Sequence, residues 1–277
     1  MSNNFLENAN VGTNKWWQYI TSILSAILAI IIVNIAIRLV LPTIKSFFPA
    51  NDFGKGLITY LLIFIVFGVA LITFLYSASK IHKRSGITFI SSFNKFSWSQ
   101  YFLGLITWGA ILFISLLISD YQKFEAFKNN FQPEYFTISL LVGFFAIGVQ
   151  SFFEELIFRG YILQGLHTRL QNTTALIFVN GLLFGLLHIG YGLESFLSSW
   201  IFGVAFALIV IFQKRIEFVA GAHNANNLLL SLVFLDLSEA MNENFSWKIN
   251  WIDFTIQIVA LILLVGIVHT FSKKKAQ

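Results

Sequence analysis

The chain of 277 residues contains no cysteine. That absence excludes disulfides, thiolate catalysis and any zinc site built on cysteine. Charge is scarce too: 11% of residues are Asp, Glu, Lys or Arg, against about 25% in an ordinary soluble domain. There is no H-E-x-x-H of the zinc-protease helix, no G-x-S-x-G, and no Ser-Lys or Ser-His arrangement that stands out. No internal repeat and no connector long enough to fold alone is visible, so residues 1–277 read as one integral membrane domain. What the chain has is apolar bulk. It is 57% hydrophobic with 32 Phe and 7 Trp, and its mean hydropathy is +0.75. A water-soluble fold of this composition would expose large apolar patches. The net charge of +5 does not argue for nucleic acid, because the basic residues sit in short connectors between apolar runs, where they meet anionic lipid and set topology.

A helix needs about 20 apolar residues to cross the hydrocarbon core. The runs predict an all-α bundle of about eight spans: roughly 17–41, 56–76, 101–118, a fourth from near 136, then 175–189, 196–212, 218–234 and 251–271. The first is anchored by Trp16, Trp17 and Tyr19 and stopped by Pro42, with no cleavage signal behind it. The fifth and seventh are short and polar enough to be partial. Counted by connector, eleven Lys and Arg fall on the side of the two chain ends and six on the other, while nine of the acids lie on that other side. The positive-inside rule then places both termini in the cytoplasm of a multi-pass cell-membrane protein.

Ionised groups inside apolar runs are expensive and mark function by default. The fourth run contains GVQSFFEELIFRGYIL, with Glu154, Glu155 and Arg159. Positions four apart share a helix face, so Glu155 and Arg159 are read as an ion pair and Glu154 as the free acid, suited to a general base. The competing reading is a structural network of all three. His188 closes FVNGLLFGLLH, with Phe184 on its face and Gly181 and Gly185 forming a small stripe for close packing. If the chain reverses near position 171, Glu154 and His188 reach the same depth and can share one water. His223 opens HNANN and shares a face with Asn227, and Asn224 and Asn226 add amides. A histidine and an amide aimed at a carbonyl make an oxyanion hole. The spacing puts Glu154 and His223 on the order of 12–14 Å in from the basic side, to which the cavity is expected to open.

These groups support water activation at a peptide bond, and two versions stay open. In one, Glu154 and His188 activate water without a metal while His223 and Asn227 hold the oxyanion. In the other, Glu154, His188 and His223 ligate a divalent metal such as zinc, His2Glu being a catalytic ligand set. A non-catalytic immunity or scaffold protein, or a transporter, is the alternative from outside enzymology, though the paired repeats of transporters are missing. Elsewhere, His82, Arg169 and the terminal lysines are read as headgroup contacts, Asn34 and Asn180 as interhelical hydrogen-bond donors, and Asp236, Glu239 and Glu243 as part of an exterior loop.

Taken in order, FEELIFRG, FGLLH and HNANN resemble the EExxxR, FxxxH and HxxxN/D signatures of the CAAX protease and bacteriocin-processing (CPBP, or Abi) family of intramembrane proteases. The resemblance covers about residues 136–232, taken as the catalytic core. It implies an eight-helix bundle with a cavity open to the cytosol. It also implies Glu154 and His188 as water activators, Glu155, Arg159 and Phe184 as supports, and His223 and Asn227 as oxyanion groups. The implied substrate is a peptide or protein at the membrane, prenylated or membrane-embedded, and the implied metal dependence is open. Membrane lipids are the remaining partner.

Overall fold

The computed structural model describes residues 5–93, 95–234 and 245–274. The helices are α1 (Trp16–Ser46), α2 (Asp52–His82), α3 (Trp98–Ser119), α4 (Tyr121–Asn129), α5 (Pro133–Glu155), α6 (Leu163–His167), α7 (Thr173–Leu186), α8 (Leu193–Gln213), α9 (Glu217–Leu229) and α10 (Trp251–Lys274). A π-helical segment, Leu156–Ile162, joins α5 to α6, so that Pro133–His167 is one continuous rod, and a second π turn, Leu230–Phe234, extends α9. No β-strand occurs among the described residues. Six helices are long and apolar enough to cross a membrane, and α7 is a shorter apolar one. With α9, these match the eight runs in order. α7 and α9 are the fifth and seventh, whose polar motifs shorten their apolar stretch.

Several details differ from the sequence reading. α1 does not stop at Pro42 but runs on to Ser46. Proline's fixed φ suits a helix, and its missing N–H removes one bond close to the helix end. The connector after α3 folds as α4, whose Phe124 and Phe127 join a ring cluster with Phe113, Phe136 and Phe234. The polar-looking N-terminal segment buries Phe5 and Leu6. His82 is not a headgroup contact: it is fully buried, with Nε2 at 2.6 Å from the Tyr161 hydroxyl and Nδ1 at 2.8 Å from the Thr13 carbonyl. Asn34 donates within its own helix, to the Ile30 carbonyl, whereas Asn180 does bridge helices, donating to the Phe158 carbonyl at 2.8 Å. Asp236, Glu239 and Glu243 lie outside the described residues.

Close packing brings α9 against α3. A β-carbon on Gly221 would lie 1.9 Å from the Tyr101 carbonyl oxygen, and one on Gly104 would lie 1.9 Å from that of Phe218. The two backbones therefore touch, which small residues permit between membrane helices. The Gly181–Gly185 stripe does the same for α7, seating it on Trp200, Gly203 and Val204 of α8.

The bundle has two end faces. On one, Thr13 bonds to His82 at the end of α2, Gln164 of α6 donates to Thr88, and Ile216 before α9 donates to Ile90. The N-terminal segment, the α2–α3 connector, the end of α6 and the α8–α9 connector thus meet there. Phe212 meets His269 there as well, which brings in the ends of α8 and α10. On the other face, Phe53 of α2 stacks on Tyr135 of α5, Leu193 donates to Ser246, and Asn250 donates to Glu194. The first is the face of the chain ends; the second carries the starts of α5, α8 and α10 and the end of α3.

Candidate active site

Glu155 is fully buried at the end of α5, where its Oε1 accepts from Arg159 at 2.9 Å, as the i,i+4 spacing requires. The same oxygen stands 2.8 Å from Nδ1 of His223 on α9. A carboxylate accepts, so Nδ1 carries a proton, and in the neutral imidazole Nε2 is the lone pair. That nitrogen lies 3.9 Å from Oε2 of Glu154, whose other oxygen accepts from Gln150 at 3.2 Å. Glu154 keeps 18% side-chain exposure while Arg159 and Glu155 have none. The free acid and the paired acid of the sequence therefore differ in surroundings, and the acid nearest Arg159 also orients an imidazole.

Arg159 is held in an aromatic box, with its guanidinium carbon 4.2 Å from the Phe184 ring centre and 5.7 Å from that of Phe206. Rings attract a desolvated guanidinium through their quadrupole. Phe184 also meets the His188 ring at 4.8 Å and the His223 ring at 5.9 Å. His188 follows α7, and its Nδ1 is 3.0 Å from the Phe184 carbonyl, so that nitrogen donates and Nε2 is free. The imidazole within 4 Å of Glu154 is that of His223.

On α9 the amides are ordered by a donor that cannot be reversed. Trp108 Nε1 donates to Asn226 Oδ1 at 3.2 Å, and Asn226 Nδ2 donates to Asn227 Oδ1 at 3.1 Å. Indole is a donor only, so it fixes both amide orientations and leaves the Asn227 NH2 group unspent. Asn224 faces away, donating to the Tyr101 hydroxyl at 2.7 Å. The sequence reading named Asn226 only as an added amide and missed Trp108. The available signal was a tryptophan in mid-span, whose N–H needs a partner when buried.

A cavity of about 480 Å³ brings His188, His223, Asn226 and Asn227 to one wall system with Trp108, Phe184 and Phe202. Its lining also includes Ser119, Asp120, Lys123, Glu194, Ser195 and Asp253. These stand at the end of α3 and the starts of α4, α8 and α10, on the face away from the chain ends. The lining thus extends to the face poorer in Lys and Arg, where the sequence reading expected it to reach the basic side. Depth along a helix is symmetrical between its two ends and could not say which way the space opens. For a metal the fit is poor: among the described residues no three His, Cys, Asp or Glu side chains group so as to hold an ion. The Nδ1–H of each histidine is given to a carboxylate or a carbonyl, which leaves Nε2 as the nitrogen a metal would take, but Glu154, His188 and His223 do not gather as a three-ligand group among the described residues.

Residues 136–229 match the family described as "Type II CAAX prenyl endopeptidase Rce1-like". This agrees with the three motifs in order and bears out the resemblance to the CAAX protease and bacteriocin-processing family. The chain is also 25% identical over 235 residues to the uncharacterized protein YyaK of Bacillus subtilis, covering 80% of this chain and 79% of that one. No solved structure matches it.

Proposed function

Because this polytopic membrane chain carries the core of the Rce1-like CAAX protease family in residues 136–229, we propose that it is an intramembrane endopeptidase that hydrolyses a peptide bond of a membrane-associated polypeptide. The observation that carries the reading is the ordered set Glu154, His223 and Glu155, of which His223 lines a cavity inside an apolar bundle.

Glu154 takes the proton of a water as that water attacks the scissile carbonyl. His223, with Nδ1–H fixed on Glu155, faces Glu154 through Nε2 and accepts or returns that proton, while Glu155 stabilises the imidazolium as a carboxylate does behind a catalytic histidine. The Asn227 amide, pre-oriented by Trp108 through Asn226, donates to the oxyanion of the tetrahedral intermediate. Collapse of that intermediate breaks the C–N bond, and the proton held between Glu154 and His223 passes to the leaving amine. His188 stands on the same cavity wall and positions the substrate or its water. No step runs through a metal.

Against the sequence reading, His223 moves from oxyanion donor to partner of the base. In its neutral form the imidazole spends its one N–H on Glu155 and has none left to donate. The test is Glu154→Gln, assayed on purified enzyme in liposomes against a panel of membrane-associated peptides cleaved by the unmodified protein. Loss of general-base help lowers the rate by about 10²–10⁴. An unchanged rate removes Glu154 from the mechanism.

A further inference from the structure

Away from the catalytic groups, the face of the chain ends holds a second cavity, of about 600 Å³, between the start of α3, the α8–α9 connector and the end of α10. Its charge has one sign. Lys214 and Arg215 line it and, among the described residues, no Asp or Glu does. Arg215 has Glu217 at 3.8 Å, but that carboxylate already accepts from the Ser97 N–H at 3.1 Å, and the guanidinium lies 4.1 Å from the Phe93 ring centre. Lys214 makes no ion pair among the described residues. The chain also runs on from Ser272, which lines the cavity, into Lys273, Lys274 and Lys275. Lys214 closes α8 in the left-handed conformation, with φ +59°, where glycine is the residue of least strain. Its N–H donates to the Val210 carbonyl and its carbonyl accepts from Ser92, so the ammonium leaves from a turn held on both sides. The backbone there suits glycine; what lysine adds is its charge.

The rest of the lining is amphipathic. The Ser97 and Ser99 hydroxyls, at the start of α3, stand 3.0 Å apart; whichever donates, the other keeps its proton for a ligand oxygen. Leu103 of α3 and Phe271 of α10 also line the cavity, and both are exposed on spanning helices, where they meet acyl chains. We infer that this cavity binds the head of an anionic phospholipid, its phosphodiester at Lys214 and Arg215 and an acyl chain running past Leu103 and Phe271 into the bilayer. Guanidinium and ammonium groups both pair with phosphate oxygens. A soluble oxyanion would leave the exposed apolar residues unused, and a zwitterionic head would bring its own cation against Lys214. The site is separate from Glu154 and from the cavity that His223 lines, so it stands whether or not the chain is a protease.

The probes are phosphatidylglycerol and, as the zwitterionic reference, phosphatidylcholine, each added to the full chain in detergent while native mass spectrometry counts bound lipid. Phosphatidylglycerol is expected to be retained in preference. Removing either cation is expected to lower that preference about fivefold, the worth of one Lys or Arg at an anionic lipid surface. Arg215→Gln also loses the stacking on Phe93 and may cost the fold some stability, so Lys214→Gly is the deciding variant. Glycine takes the left-handed turn without strain, so Lys214→Gly is expected to match or exceed the unmodified protein in stability, by SDS titration, while its lipid preference falls. No preference in the unmodified protein, or one unchanged in Lys214→Gly, overturns the inference. A phosphatidylglycerol with a diazirine in its acyl chain reports position: crosslinks are expected on peptides containing Leu103 or Phe271, and crosslinks confined to other segments overturn the assignment. Full displacement of the lipid by millimolar glycerol phosphate would make a soluble phosphate ester the ligand and overturn the lipid.

Discussion

Replacing Glu155 with leucine removes one carboxylate and with it two interactions of opposite reach. Its Oε1 accepts from Arg159 at 2.9 Å within the helix and from His223 at 2.8 Å on α9. Both Glu155 and Arg159 are wholly buried, so the guanidinium left behind has no water to replace the lost partner. Breaking a buried pair by removing one member costs about 3–5 kcal/mol. The rings of Phe184 and Phe206 still face the cation and offset roughly 1–2 kcal/mol of that. The expected loss is about 3 kcal/mol, a rise of on the order of a hundredfold in the unfolded population. Arg159→Met should cost a similar amount, since the orphan is then a buried carboxylate. The double variant Glu155→Leu/Arg159→Met should recover most of the loss, because apolar side chains of similar volume often replace a buried pair at no net cost. It should stay inactive, since His223 has lost the acceptor that fixes its tautomer. Tryptophan fluorescence during SDS titration in mixed micelles measures the three stabilities. Glu155→Leu losing less than about 1 kcal/mol, or a double variant weaker than either single, would refute the account.

Other perturbations separate chemistry from packing. Glu154→Gln should leave stability within about 0.5 kcal/mol, as a partly exposed side chain whose replacement keeps an oxygen to accept from Gln150, while cleavage falls; the same SDS titration checks the first half. Phe184→Ala should destabilise by about 3–5 kcal/mol, the usual cost of truncating a buried phenylalanine, and Phe184→Leu should restore most of the fold but less of the activity, because the ring contacts to Arg159, His188 and His223 are gone. Gly221→Ala drives a methyl into the Tyr101 carbonyl and should cost about 1–3 kcal/mol or more by overpacking, read as a lower midpoint in the same titration. Prolonged chelation should leave the cleavage rate unchanged, because no three ligating side chains converge among the described residues; a rate abolished by chelator and restored by zinc would contradict this.

The eight helical runs were legible because membrane spans announce themselves by length and hydropathy, and the motifs because ionised groups and clustered amides stand out against apolar neighbours. The Glu155–Arg159 pair followed from i,i+4 spacing. The Glu155–His223 contact joins residues 68 positions apart, and no periodicity within either helix reports which faces of α5 and α9 meet. His82 looked interfacial because it ends a span beside Lys83 and Arg84. Its burial comes from the N-terminal segment folding back over it, a tertiary event that local polarity hides. The reversal at 171 was nearly right, since α7 is capped by Asn172, but equal distance from a turn does not fix which imidazole meets Glu154. That contact depends on helix rotation as well as depth.

The π-helical stretch Leu156–Ile162 sets the angular phase between the two halves of the rod it interrupts. Before it, Glu154 and Glu155 must face α9; near its end and beyond it, Tyr161 and Gln164 must face His82 and Thr88, to which they bond at 2.6 and 2.9 Å. A uniform α-helix advances 100° per residue and offers no free choice of that angle. The wider turns absorb the difference, and the Phe158 carbonyl within them accepts both from the Leu163 N–H five residues on and from Asn180 of α7. Forcing these seven residues into uniform α-helix with none removed would swing everything beyond them by on the order of 100°. The catalytic half would stay in place while the anchoring half lost its partners.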